Sequence, residues 1–142
     1  MSDTKHCPIS AYVETKGLVY FARCLNKIRL HARGELREDF HSQLGQGFDG
    51  RLCAYLRVDY AALRDRTLAG GTDEEILAWC CDTGRDLNET DVIVWNEFLT
   101  KKGWRDGASE SLANRKASSG LADRHEIETM VEYFEYDEGR KS

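Results

Sequence analysis

A chain of 142 residues with 41% hydrophobic and 32% charged residues is long enough to bury roughly 68% of its unfolded surface, and too apolar to remain disordered. No apolar run approaches the roughly 18 to 20 residues of a membrane span, and the start "MSDTKHCPIS" lacks the apolar core of a secretory signal, so a soluble, cytoplasmic chain without membrane association is expected. Five cysteines (Cys7, Cys24, Cys53, Cys80, Cys81) are an odd number without a C-x-x-C spacing, which argues against a disulfide framework. The scattered histidines His6, His31, His41 and His125 offer no zinc pattern, so neither a metal nor a cofactor is expected.

In chain order, "GLVYFARCLNKIRLHARG" (17–34) predicts a basic amphipathic helix. Leu18, Phe21, Leu25, Ile28 and Ala32 fall within one stripe and form its buried face. Tyr20, Cys24, Lys27 and His31 make a second line at i, i+4, i+7 and i+11. That line suits a pocket edge, or equally a core margin in which Tyr20 and Cys24 are buried while Lys27 and His31 reach for water. Residues 16–37 hold Lys16, Arg23, Lys27, Arg29, Arg33 and Arg37 against Glu35 alone, a balance of +5, and the total of −5 leaves −10 elsewhere. Such a segment either attracts an anionic ligand or pairs with acidic helices such as "TDEEI" and "YFEYDEGR".

A short helix is expected at 36–44 and another at 50–57. Between them "DFHSQLGQGFDGRLC" (39–53) breaks the helical pattern at Gly45, Gly47 and Gly50, where backbone N–H groups ahead of a helix N-terminus can hold an anion. The segment matches no phosphate-binding fingerprint, and a plain turn reads as well. Asp59 then caps a helix that runs out at Gly70-Gly71. Thr72 and Glu75 form a capping box for "TDEEILAWCCDTG", which Gly84 stops. Asn88 repeats the device, with a Leu87 to Val92 staple, ahead of "ETDVIVWNEFLTKKG". A short helix follows at 107–119, and Asp123 with Glu126 is expected to open the last one, whose Ile127, Met130, Val131 and Phe134 share a face. The pattern predicts an all-α fold, a single multi-helix domain over 1–142 with about seven or eight helices, several short, and with 1–15 and 137–142 less well ordered.

Taken together, "GLVYFARCLNKIRLHARGEL", "FHSQLGQGFDGRLCAYLRVDY", "AGGTDEEILAWC", "WNEFLTKKGWRDGAS" and "LADRHEIETMVEYFEYDEGR" resemble, in order and spacing, the bacterial family of uncharacterised proteins known as DUF5069. The resemblance spans nearly the whole chain and implies a small, stand-alone, intracellular helical domain, without an activity to carry over. The family's Arg-x-x-Asp-Lys-x-Arg pattern falls on Arg23, Asn26, Lys27 and Arg29, with Asn26 in place of the usual Asp and still able to accept a hydrogen bond. Its glycine motif falls on His41, Gly45, Gly47, Asp49 and Arg51, with Phe40 where Tyr is common. A later motif falls on Trp95, Asn96, Trp104, Arg105 and Asp106, whose tryptophans read as core anchors.

Basic residues, glycines and a histidine thus concentrate between positions 20 and 53. The expected function is binding of a small phosphate- or carboxylate-bearing ligand by Arg23, Asn26, Lys27, His41, Asp49 and Arg51. Two other readings stand beside it. One is a protein-interaction module, with a protein partner or a homo-oligomer; the other is a small enzyme acting on an anionic metabolite with His41 as general base. DNA binding is not expected: in the helix-turn-helix-like 59–82 stretch the second helix begins Asp73-Glu74-Glu75 and offers no Arg or Lys.

Overall fold

In the computed structural model, which describes residues 6–142, the opening helix begins later than its pattern predicts. Lys16 (φ 49°) and Gly17 (φ 83°) both adopt left-handed conformations, the geometry of a tight two-residue hairpin turn. They join β1 (Glu14–Thr15) to β2 (Leu18–Val19), an antiparallel ribbon with Thr15 opposite Leu18. α1 then spans Phe21–Ala32. Residues 17–20 are therefore hairpin and cap instead of helix, and Trp95 and Asn96 of α5 (Glu89–Lys101) bind their backbone. Trp95 Nε1 donates to the Val19 carbonyl (2.9 Å), Asn96 Nδ2 donates to the Gly17 carbonyl (2.7 Å), and Asn96 Oδ1 accepts the Val19 N–H (3.0 Å).

A 3-10 helix at Glu38–Gln43 leads to α2 (Gly47–Leu56), α3 (Tyr60–Leu68) and α4 (Asp73–Thr83). The middle helix starts follow the predicted caps. Asp59 accepts from Ala62 N–H, and reciprocal capping boxes join Thr72 to Glu75 and Asn88 to Asp91. Each satisfies backbone donors that a helix N-terminus otherwise leaves without partners. α6 covers Ser109–Ser118 and α7 Met130–Asp137. The last helix starts at Thr129, which caps Glu132 N–H, and not at Asp123. The backbone between α6 and α7 is held from outside instead: Lys116 Nζ donates to the Ile127 carbonyl (3.0 Å), and Met130 N–H donates to the Lys102 carbonyl (2.8 Å).

The result is an all-helical domain, with seven α-helices and only the small ribbon of strand among the described residues. None of the described helices is long and apolar enough to cross a membrane. The larger core cluster gathers Phe21, Cys24, Leu25 and Ile28 of α1 with Leu52, Leu56, Leu63, Ile76, Cys80, Trp95 and Leu99. Ala32, predicted within the same stripe, is exposed on the last turn. A smaller cluster joins Leu112 to Ile127, Met130 and Tyr133. Phe48 and Phe134 pack against both, and the space between the two clusters matters below.

One glycine sits where no side chain fits. At Gly84, the end of α4 meets the end of α2 so closely that a Cβ would lie 2.1 Å from the Leu56 carbonyl oxygen and 2.6 Å from that of Arg57. Backbone cannot swing aside as a flexible side chain can. Gly84→Ala is therefore expected to lower stability by about 2–3 kcal/mol through overpacking. Gly107→Ala, where a Cβ meets nothing within 4 Å, should stay within about 0.5 kcal/mol of the parent. Urea unfolding midpoints of the two variants give the comparison directly.

Candidate functional site

The functional side chains of α1 begin with its cap. Tyr20 holds a left-handed backbone (φ 74°), and from it Arg23 and Lys27 follow at i+3 and i+7, so that all three share one helical face. All three are buried, Arg23 at 2% and Lys27 at 4% exposure. Buried cations need partners, and each has one. Asp49 of α2, fully buried, accepts from Lys27 Nζ (2.9 Å), from the Tyr20 hydroxyl (2.6 Å) and from the Gly45 N–H (3.1 Å). Burial, with the Asp49 carboxylate beside it, pushes the Tyr20 phenol well above its ordinary value, so the group stays protonated and donates.

Arg23 is answered from the far end of the chain. Its two terminal nitrogens donate to the carboxylate oxygens of Glu138 (2.8 and 2.6 Å), a bidentate pair, and one also reaches the Ile9 carbonyl (3.2 Å). Arg140 bridges Glu138 to Glu135 and donates to the Pro8 carbonyl, while Ser10 Oγ donates to Glu135. The guanidinium lies 4.6 Å from the Phe134 ring centroid. One donor is left over: Arg23 Nε is buried and has no hydrogen-bond partner among the described residues. Such orphans are rare in folded proteins and call for an explanation.

Beside these groups lies a cavity of about 270 Å³. Its cationic lining is Arg23, Lys27, Arg51, Lys102 and Arg115; its aromatic lining is Tyr20, Phe40, Phe48, Phe98 and Phe134, with Gln43, Gln46, Gly47, Ala108 and Met130 between them. No Asp, Glu, His, Ser, Thr or Cys is among the lining residues. Arg23 and Lys27 are neutralised from behind, and Lys102 lies 3.9 Å from Asp106. Arg51 and Arg115 are exposed and make no side-chain ion pair among the described residues. The N-terminus of α2 also opens here, since Gln46, Gly47 and Phe48 all line the cavity and Gln46 caps with no side-chain bond. The first N–H groups of a helix lack internal acceptors and carry its positive dipole end.

Of the six residues predicted from sequence, the fold brings Arg23, Lys27 and Arg51 to this cavity. Asp49 lies directly behind it as the partner of Lys27. Asn26 faces elsewhere, its Oδ1 accepting the Ile9 N–H (2.8 Å). His41 is exposed, its Nε2 3.0 Å from the Leu36 carbonyl and its ring 4.8 Å from that of His31; its neighbours Phe40 and Gln43 line the cavity and it does not. Of the second line on the opening helix, Tyr20, Cys24 and Lys27 are buried and His31 is exposed. Lys102 caps the C-terminus of α5, Arg115 and Phe134 come from α6 and α7, and nothing local in the sequence ties them to residues 20–53. Trp95 is a core anchor, but Trp104 is 46% exposed under Arg105. Asp106 serves the backbone, accepting from Gly103 and Ala108 N–H. No cluster of three or more His, Cys, Asp or Glu suited to a metal occurs among the described residues.

Other basic residues of the 16–37 segment pair with nearby carboxylates. Arg29 meets Asp73 at 2.7 Å, and Arg37 meets both Asp39 and Asp137. Burial separates these pairs in strength. Removing Glu138 strands the buried Arg23 charge, so Glu138→Ala is expected to cost about 3–5 kcal/mol. Glu35→Ala, which removes the half-exposed partner of Arg33, should cost under about 1 kcal/mol. Equilibrium urea unfolding of both variants measures the contrast.

Residues 5–140 of the chain match the family described as Domain of unknown function (DUF5069). No curated protein matches the chain. The match leaves only a few residues at each end outside it, and the chain accordingly belongs to the DUF5069 family.

Proposed function

We propose that this protein binds a small anion, through a phosphate or carboxylate group, in the cavity between α1, α2 and α7, with the head group at the N-terminus of α2 under Arg51 and Arg115. The observation that carries this reading is the lining itself: five cationic side chains with no carboxylate among them, and on one of them a buried N–H without an acceptor. Two exposed guanidinium groups without an ion-pair partner among the described residues, beside the first N–H groups of α2, favour an anionic guest. At about 270 Å³ the space lies just below the usual range for ligand pockets, roughly 300–1,000 Å³, which points to a small guest.

Binding accounts for the lining better than turnover does. A general base or nucleophile would have to come from Tyr20, whose proton is committed to Asp49, from Lys27, paired with that carboxylate, or from Lys102, 3.9 Å from Asp106. The odd number and spacing of the five cysteines favour a reducing setting. A second reading has its own support: Ile93, Val94 and Phe98 stand exposed along α5, and a protein partner or a second copy could cover them.

Thermal unfolding in the presence of inorganic phosphate tests the proposal. Millimolar phosphate should raise the melting temperature of the parent protein by mass action. Arg51→Gln should weaken phosphate binding about tenfold, about 1.4 kcal/mol, without changing the melting temperature in its absence, since Arg51 is exposed and has no ion-pair partner among the described residues. Arg51→Lys should fall between, because an ammonium lacks the planar fork that grips an oxyanion. If no member of a panel of phosphates and carboxylates shifts the parent at millimolar concentration, the pocket reading fails, and sedimentation at increasing protein concentration takes up the α5 face.

A further inference from the structure

We infer that the ligand of this cavity is an aromatic anion: a free small molecule with one planar ring and a single phosphate or carboxylate head, carrying one or two negative charges. This rests on the anion-binding reading and specifies what is attached to the anion.

Charge sets the head. Two of the five lining cations are cancelled by buried carboxylates, Arg23 by Glu138 and Lys27 by Asp49, and Lys102 is partly offset by Asp106 at 3.9 Å. Arg51 and Arg115 remain uncompensated. Two surplus charges match one phosphate or carboxylate; a polyphosphate would bring more negative charge than the lining answers.

The walls set the body. Tyr20 and Phe48 meet edge to face with centroids 5.6 Å apart and an interplanar angle of 79°, and Phe48 meets Phe134 in the same way at 6.0 Å and 75°. Phe40 and Phe98 complete the aromatic lining. Cations sit on these rings in turn: Arg23 over Phe134 at 4.6 Å and over Phe40 at 5.8 Å, Lys102 over Phe98 at 5.5 Å. Ring edges and guanidinium faces are the surfaces against which a further flat ring packs well. A sugar or polyol is poorly served there, because the side chains able to accept its hydroxyl protons are, among the described lining residues, Gln43, Gln46 and the committed Tyr20 hydroxyl, while the cations only donate. Each hydroxyl buried without a partner would count against binding. Size agrees, as an apolar cavity of about 150 Å³ takes up benzene and the space here, about 270 Å³, admits a ring with its substituent.

Isothermal titration of the full chain with phenyl phosphate, methyl phosphate and glycerol 3-phosphate tests the inference. Phenyl phosphate is expected to bind about tenfold or more tightly than methyl phosphate, by withdrawal of the ring from water, and glycerol 3-phosphate no more tightly than methyl phosphate. Phe98→Ala, which removes one partly exposed wall of the ring site, should cut the advantage of phenyl over methyl phosphate to about threefold or less. Equal affinity for phenyl and methyl phosphate, an equal gain from glycerol 3-phosphate, or a ring advantage that survives Phe98→Ala overturns the aromatic inference. In each of those results, methyl phosphate binding that still depends on Arg51 keeps the anion reading standing. Binding of neither phenyl nor methyl phosphate overturns both.

Discussion

Two full charges on the buried face of one helix constrain the rest of this molecule. Arg23 and Lys27 cannot leave water without a counter-charge, and α1 supplies none, so the carboxylates must come from elsewhere. Asp49 comes from the first turn of α2, which fixes how the glycine segment lies across α1. Glu138 comes from beyond α7, which requires the chain end to return to the first helix. Apolar packing of Phe21, Leu25 and Ile28 turns one face of this helix inward, and the pairing of Arg23 with Glu138 and of Lys27 with Asp49 holds that same orientation from two further points of the chain.

This explains which parts of the structure were legible in the sequence. Helix starts built from local chemistry, Asp59, Thr72 with Glu75 and Asn88, stand where their spacing puts them, because a cap and the N–H it serves are three residues apart. The all-helical fold follows from the same signals and from the apolar periodicity of the core-facing positions. What misled was competition between equivalent signals. Asp123 with Glu126 and Thr129 with Glu132 have the same spacing, and the choice between them was made by Lys102, whose carbonyl takes the Met130 N–H from another helix. The Lys16-Gly17 turn is only two residues long, too short to interrupt an amphipathic pattern that continues on both sides of it.

The candidate site divides in the same way. Clustering of charge between 20 and 53 pointed to Arg23, Lys27 and Arg51, since the residues that meet there are close in sequence. Charge alone could not distinguish a cation facing a cavity from one whose carboxylate lies behind it, and Arg23 and Lys27 are both at once. Phe98, Lys102, Arg115 and Phe134 close the far side from α5 and its C-terminal cap, α6 and α7, spread over the last third of the chain. Their residue types are ordinary for helix surfaces and cores, so only the fold assigns them a common address. His41 shows the converse. A histidine inside a motif attracts a chemical role, yet the 3-10 turn that brings Phe40 and Gln43 to the cavity carries His41 outward to the Leu36 carbonyl.

Tyr20 connects the core to the cavity. A bulky residue at φ 74° is rare, and such a backbone costs on the order of 1–3 kcal/mol, persisting only where its surroundings over-determine it. Here they do. The Tyr20 N–H donates to the Ala11 carbonyl at 2.9 Å, its hydroxyl is fixed on Asp49, and the preceding residue is held on both its N–H and its carbonyl by Asn96 and Trp95. The left-handed turn lets the chain leave the hairpin and enter α1 within one residue. A gentler entry would begin the helix elsewhere and rotate Arg23 and Lys27 away from their carboxylates. Trp95 and Asn96 therefore bear on the cavity without lining it: by pinning Val19 they hold the strained cap, and through the cap they set the rotation of the helix that carries the buried charges.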